Sequence, residues 1–210
     1  MGYKTFASMN IAVVGTGKYC EALSAGLAKA GHNVFMATRS EYDEVSKELL
    51  ARYRRICPSS IEYAGAVADV IILATPAEEV REMAYFLEDV RQKVIIDLTG
   101  LNLTRYSTYI NTHAAIKAIT GSQHVVKCYN RTGSENLVAT ESTADMIIAG
   151  DSKKAKALTA LLAKDLKFNA CHDFGGDELI PSLDQMANNW QNLSISAKVP
   201  GSIAYRLIKR

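Results

Sequence analysis

The chain has 210 residues, 48% of them hydrophobic and 22% charged, an ordinary globular composition that can bury a core. Its 24 basic and 22 acidic residues leave a formal net charge of +2, with a pI near 8.3, a balance that makes no case for a nucleic-acid partner. No apolar run approaches the roughly 20 residues that span a bilayer, and the opening MGYKTFASMN carries no signal-peptide core. The expectation is therefore a cytoplasmic chain with no membrane partner. Cys20, Cys57, Cys128 and Cys171 form no C-x-x-C pair, so they read as reduced thiols and leave no structural zinc or other metal site.

Residues 1–8 read as a flexible lead-in. Residues 10–14 (NIAVV) form a buried strand, and a glycine turn leads to a helix from about Lys18 to Lys29. Residues 33–37 (NVFMA) give the second strand, and a helix follows from Glu41 to Arg55, with Leu49, Leu50, Tyr53 and Ile56 on its apolar face. Residues 69–74 (DVIILA) are a strand ending at Thr75-Pro76, followed by a helix over 78–90 and a strand over 93–98 (KVIIDL). A helix over 106–119, strands over 124–129 and 145–149, and a helix capped by Ser152 come next. A short strand over 168–172 and a long helical region from Asp177 complete the pattern.

Apolar strands without strict alternation, separated by helices, indicate a parallel sheet covered on both faces. The expected fold is therefore α/β, a Rossmann-type doubly wound sheet. One domain spans residues 9–176, and residues 177–210 form a helical tail packing on that domain or on a partner subunit. Trp190, Leu193 and Ile195 in this tail are candidates for closing a cleft, for a homodimer contact or for packing on the chain's own sheet.

The segment Gly15-Thr16-Gly17-Lys18-Tyr19-Cys20 leaves the first strand and opens the first helix. That is the context of the G-x-G-x-x-G dinucleotide fingerprint. Gly15 allows the tight turn, Gly17 lets a pyrophosphate approach the backbone, and the helix N-terminus offers it free N–H groups. Cys20 stands where the third glycine is usual; its thiol is small enough to pack there, and it reads as a packing residue rather than a redox thiol.

The end of the second strand chooses the nucleotide. NAD binders place an acid there, whereas Thr38-Arg39-Ser40 presents two hydroxyls and a guanidinium suited to a 2′-phosphate. The expected cofactor is NADP(H). Glu41 and Asp43 nearby weaken the positive potential.

These motifs continue along the chain in order: Ala74-Thr75-Pro76, Ile96-Asp97-Leu98-Thr99, Val125 to Asn130, Asp173-Phe174-Gly175, and Ile203 to Leu207. Together they resemble the NADP oxidoreductase family that depends on the deazaflavin coenzyme F-420. They are also similar to the cytosolic reductase domain of the six-transmembrane (STEAP) metalloreductases. The resemblance implies NADP(H) along the carboxyl edge of the sheet and a second ring, deazaflavin, FMN or FAD, stacked near the nicotinamide. It implies that residues 15 to 20 line the pyrophosphate and that Thr38, Arg39 and Ser40 hold the 2′-phosphate. Ala74, Thr75 and Pro76 would wall the ribose and nicotinamide, with Thr99 and Asn130 completing the cofactor site. Lys127 to Asn130 would meet the partner ring. Thr99-Gly100 departs from the Asn-Pro often found after the fifth strand of the family.

Hydride transfer between two rings needs stacked placement more than an acid–base pair, which agrees with a sequence offering no triad or carboxylate dyad. His32, His113, His124 and His172 are scattered, and none is nominated as catalytic. The expected partner is a small-molecule electron acceptor. Two other readings share the nucleotide half: an NADP(H)-binding sensor without turnover, and a small imino- or hydroxy-acid reductase. The second normally needs a large helical domain, for which about forty residues after the last strand are few.

Overall fold

The computed structural model describes residues 8–39, 45–99, 111–129, 144–196 and 204–208. Eight strands form one sheet: β1 (Asn10–Val14), β2 (Asn33–Thr38), β3 (Ile56–Ser60), β4 (Val70–Leu73), β5 (Val94–Asp97), β6 (Val125–Tyr129), β7 (Asp145–Ala149) and β8 (Ala170–Asp173). Their spatial order is β3-β2-β1-β4-β5-β6-β7-β8. Every neighbouring pair is parallel except β6 and β7, which run antiparallel. A run such as DMIIA reads the same in either direction, so its sense was not legible in the residues. The fold is Rossmann-type, with the strand order reversing between β1 and β4.

Side-chain alternation divides the core between the two faces of the sheet. Ile11 and Val13 of β1 join one cluster, which also holds Leu23 and Leu27 of α1 (Lys18–Lys29) and Leu162 and Ala163 of α6 (Lys153–Asp165). Ala12 and Val14 join the other, with α3 (Ile61–Val67), α4 (Val80–Tyr85) and α5 (Thr112–Thr120). Helix α1 buries Cys20, Leu23, Ser24, Leu27 and Ala28, the three- and four-residue spacing of a helix laid on a sheet. Gly31, at φ 100°, ends it: its N–H donates to Ala28 and that of His32 donates to Leu27, closing a Schellman turn.

The region after β2 differs from the sequence expectation. Of the helix expected from Glu41 to Arg55, the described part is helical only as α2 (Lys47–Arg52), and residues 40–44 lie outside the described residues. Ile56 begins β3 instead, and α3 follows it, capped by the Ser60 hydroxyl, which accepts from the Tyr63 N–H. ICPSS does not read as a strand because it carries a proline and two serines. It forms one at the sheet edge, where Pro58 is tolerated. The helix expected over 78–90 closes early, with Asp89 in a left-handed conformation at φ 53°.

After β8, a 3-10 turn over Asp177–Leu179 leads into α7 (Ile180–Ser196). Ile180, Leu183 and Ala187 bury against Ile147 and Ala149 of β7, and Trp190 packs at the margin. Helix α7 therefore packs on the chain's own sheet. Leu193 is exposed, and the Ile195 side chain lies outside the described residues.

Candidate functional site

The carboxyl ends of β2, β1, β4 and β5 lie side by side, and the described cofactor-binding candidates cluster there. Ala37, Val14, Leu73 and Asp97 are register partners across those strands. The segments that follow them are Thr38-Arg39, Gly15 to Cys20, Ala74 to Pro76, and Thr99. Ser40 and Asn130 lie outside the described residues.

The glycine turn sits where the strand order reverses, the place at which open α/β sheets bind ligands. The Gly15 N–H donates to Ala37 O at 3.0 Å, and the Ala74 N–H donates to Val14 O at 2.9 Å. These bonds hold the turn against both neighbouring segments. Gly15 has φ 135°, and a Cβ there would meet the Ala74 carbonyl oxygen at 2.8 Å and Cys20 Sγ at 3.1 Å. Gly17 has φ 93° with nothing within 4 Å of a Cβ, so its backbone faces open space. It also precedes α1 with no side chain capping the helix, leaving the positive end of the helix to an anion.

Cys20 fills the space left by the missing third glycine. Its thiol donates to Ala74 O at 3.5 Å, and burial pushes its pKa up to about 12, so it stays protonated and packs. Across the turn, Thr75 is 5% exposed and its hydroxyl has no partner among the described residues. A buried hydroxyl without a partner costs free energy that a ligand can recover. An uncapped helix end, an open Gly17 backbone and an orphaned hydroxyl on the adjoining segment fit a dinucleotide. Thr38 is only 6% exposed and sits inside the end of β2, while Arg39 is exposed. The Arg39 guanidinium pairs with Glu82 at 2.9 Å and Glu79 at 3.6 Å.

Lys127 is not an open strand-end cation facing a partner ring. It is 4% exposed, and its ammonium donates to Asp97 Oδ2 (3.1 Å), Thr99 O (2.8 Å), Thr99 Oγ1 (3.3 Å) and Thr112 Oγ1 (3.0 Å). The cause is the register: Lys127 stands opposite Asp97, so both side chains project to one face, beneath α5 and α7. Asp97, fully buried, also accepts from the Thr99 N–H at 2.9 Å and from the hydroxyls of Thr99 (2.5 Å) and Thr112 (2.8 Å). Burial alone would raise the Asp97 carboxyl. The Lys127 ammonium and the Thr99 hydrogen bonds outweigh it and hold the group below the usual carboxylate range. Thr99, 3% exposed, is thus fixed as the β5 edge of the candidate site.

Asp184 of α7 reaches the same ammonium at 3.5 Å. Burial, and repulsion from Asp97, raise its carboxyl against the pull of Lys127. A carboxyl raised by folding binds its proton more tightly in the folded state. Stability therefore falls as pH rises from the ordinary carboxylate range through the raised value. Asp184→Asn is expected to flatten that decline, and to melt at neutral pH no lower than the unaltered protein. Thermal melts from about pH 4 to 8 check this; an unchanged slope with a lower melting temperature contradicts it.

Other buried polar groups tie the C-terminal region to the sheet. His113 Nε2 lies 3.1 Å from Asp177 Oδ1, and Lys117 Nζ lies 2.7 Å from Asp177 Oδ2. Burial lowers the His113 imidazole, against the pull of Asp97 and Asp177. Asp145 accepts from Asn169 and from the Leu207 N–H, each at 2.7 Å, and lies 3.1 Å from His172 Nε2. Three of the four histidines thus pair with an aspartate (His32 with Asp165), and His124 lies 3.1 Å from the Ser152 hydroxyl. Sequence reading missed these carboxylate partners. A charged residue inside an apolar run, as in VIID and VVKCY, was the available signal for Asp97 and Lys127; nothing comparable marks Asp184.

Strand order, glycine turn and uncapped helix define a Rossmann-type fold with an open turn at its switch point. Residues 10–100, from β1 past the end of β5, match the family described as NADP oxidoreductase, coenzyme F420-dependent. The fold of nearly the whole chain is shared with a candidate F420-dependent NADP-reductase from Arthrobacter sp. FB24, at TM-score 0.80 and 19% identity over 96% of this chain and 100% of that one. A pyrroline-5-carboxylate reductase from Coxiella burnetii shares it at TM-score 0.62 and 15% identity, over 93% of this chain and 73% of that one. An imine reductase from Bacillus cereus BAG3X2 does so at 0.64 and 14%, over 90% and 62%. No curated protein matches the chain significantly. No helix among the described residues is long and apolar enough to cross a membrane.

Proposed function

We propose that the chain binds NADP(H) across the carboxyl ends of β2, β1 and β4 and passes a hydride between it and a deazaflavin or flavin-type acceptor. The observation that carries this reading is the open Gly17 backbone at the uncapped start of α1, with the unpartnered Thr75 hydroxyl on the segment that adjoins the turn at Gly15. Gly17 and the first turn of α1 hold the pyrophosphate, Arg39 holds the 2′-phosphate, and Thr75 bonds the ribose or carboxamide beside it. Bound there, NADP(H) would supply the hydride, the chemistry that the side chains cannot. The chain's own part is orientation and water exclusion. The absence of an acid at the end of β2 favours NADP(H) over NAD(H).

Thr99, pinned by Lys127 and Asp97, gives the nicotinamide end a rigid edge. The F420-dependent family match and the full-length likeness to the Arthrobacter protein favour a deazaflavin as the second ring. The test follows NADPH oxidation by absorbance in the presence of coenzyme F420, FMN, FAD or a ferric chelate. Turnover with a ring acceptor, fastest with the deazaflavin, is the expected result. NADPH binding without turnover on any acceptor would replace this reading with that of a nucleotide sensor.

A further inference from the structure

The Arg39 guanidinium lies against α4, 2.9 Å from Glu82 Oε2 and 3.6 Å from Glu79 Oε2. Strand β2, which ends beside Arg39, and β4, which leads to α4, flank β1 on its two sides. The ion pairs therefore join the segment that follows β2 to the one that follows β4, the two strands on either side of β1. We propose that Glu79 and Glu82 latch Arg39 across the adenosine end of the site, compete with the 2′-phosphate for it, and so set NADPH affinity and the preference over NADH. This rests on the reading of Arg39 as the 2′-phosphate ligand.

The physical case is one of competition. All three side chains are about half exposed, at 44% for Arg39 and Glu79 and 53% for Glu82. Exposed ion pairs are weak and screened, so the latch opens readily. A 2′-phosphate offers the guanidinium a bidentate, doubly charged partner and outcompetes two carboxylate oxygens that share one guanidinium nitrogen. When Arg39 turns to it, both carboxylates remain close to the incoming charge and repel it. NADH has a neutral 2′-hydroxyl and does not need Arg39 released, so the latch penalises NADPH alone. The two glutamates are thus specificity-determining residues that hold NADPH affinity below what Arg39 alone would provide.

The experiment is calorimetric titration of the full chain with NADPH and with NADH, for the unaltered protein, Glu79→Gln/Glu82→Gln and Arg39→Ala. Thermal melts verify folding; the three side chains are at the surface, where substitutions cost little. The double variant is expected to bind NADPH about five- to tenfold tighter, near 1–1.4 kcal/mol, and NADH within about twofold of the unaltered protein. Arg39→Ala should remove the NADPH preference. If it does so while the double variant binds NADPH no tighter, the latch is refuted and the phosphate role stands. Weaker NADPH binding in the double variant also refutes the latch, because the glutamates would then be positioning Arg39. If Arg39→Ala leaves the preference intact, the phosphate role fails, and the latch with it.

Discussion

Replacing Lys127 by methionine is expected to destabilise the protein by about 3–5 kcal/mol, lowering the melting temperature by about 6–20 °C for a domain of this size. The reason is what remains behind. Asp97 is fully buried and carries a charge that the Lys127 ammonium compensates at 3.1 Å. Methionine matches the length of the stem but leaves that carboxylate uncompensated, with Asp184 near it on α7. Thr99 O loses its 2.8 Å donor at the same time. Adding Asp97→Asn should restore part of the loss. The amide oxygen still accepts from the Thr99 N–H and hydroxyl, while the buried charge is gone. The double variant is therefore expected to melt above the single Lys127→Met variant. Chemical denaturation of both checks this; a single variant within about 1 kcal/mol of the unaltered protein would show that Asp97 is neutral in the folded state.

The second large effect is at the glycine turn. Gly15→Ala is expected to cost about 2–5 kcal/mol, combining a strained left-handed backbone with overpacking, and to weaken NADPH binding by more than about tenfold. At φ 135° the added Cβ meets the Ala74 carbonyl at 2.8 Å. That carbonyl belongs to a segment already bonded to β1 through the Ala74 N–H, so it has little freedom to retreat. The Cys20 thiol at 3.1 Å blocks the other side. A companion Cys20→Gly change should relieve only the thiol contact and leave the carbonyl clash. Melts with paired NADPH titrations measure both effects, and Gly15→Ala protein that binds NADPH normally would remove the turn from the site.

How much of this was legible in the residues depends on how local the cause is. Strands β1, β4, β5 and β7 were readable because each is a short apolar run buried on both faces. Helix α1 was readable to the residue because Gly17 and Gly31 bracket it. Strand β3 was not, because an edge strand needs no continuous apolar run and ICPSS carries a proline. The glycine turn was legible for the same reason as α1: glycines between a strand and a helix are a local signature. The Lys127 cluster was not, because its members come from β5, α5, β6 and α7 and meet only when the sheet register sets Lys127 against Asp97. Nor could the residues show that Arg39 faces Glu79 and Glu82, which depends on β2 and β4 flanking β1.

The proposed NADP(H) site is the carboxyl edge around Gly15, Gly17, Arg39 and Thr75. Isothermal titration of the unaltered chain with NADPH and NADH tests it most directly. Saturable, one-to-one binding is expected, with NADPH preferred by at least about tenfold, near 1.4 kcal/mol. Binding of neither nucleotide, or tighter binding of NADH, would contradict it.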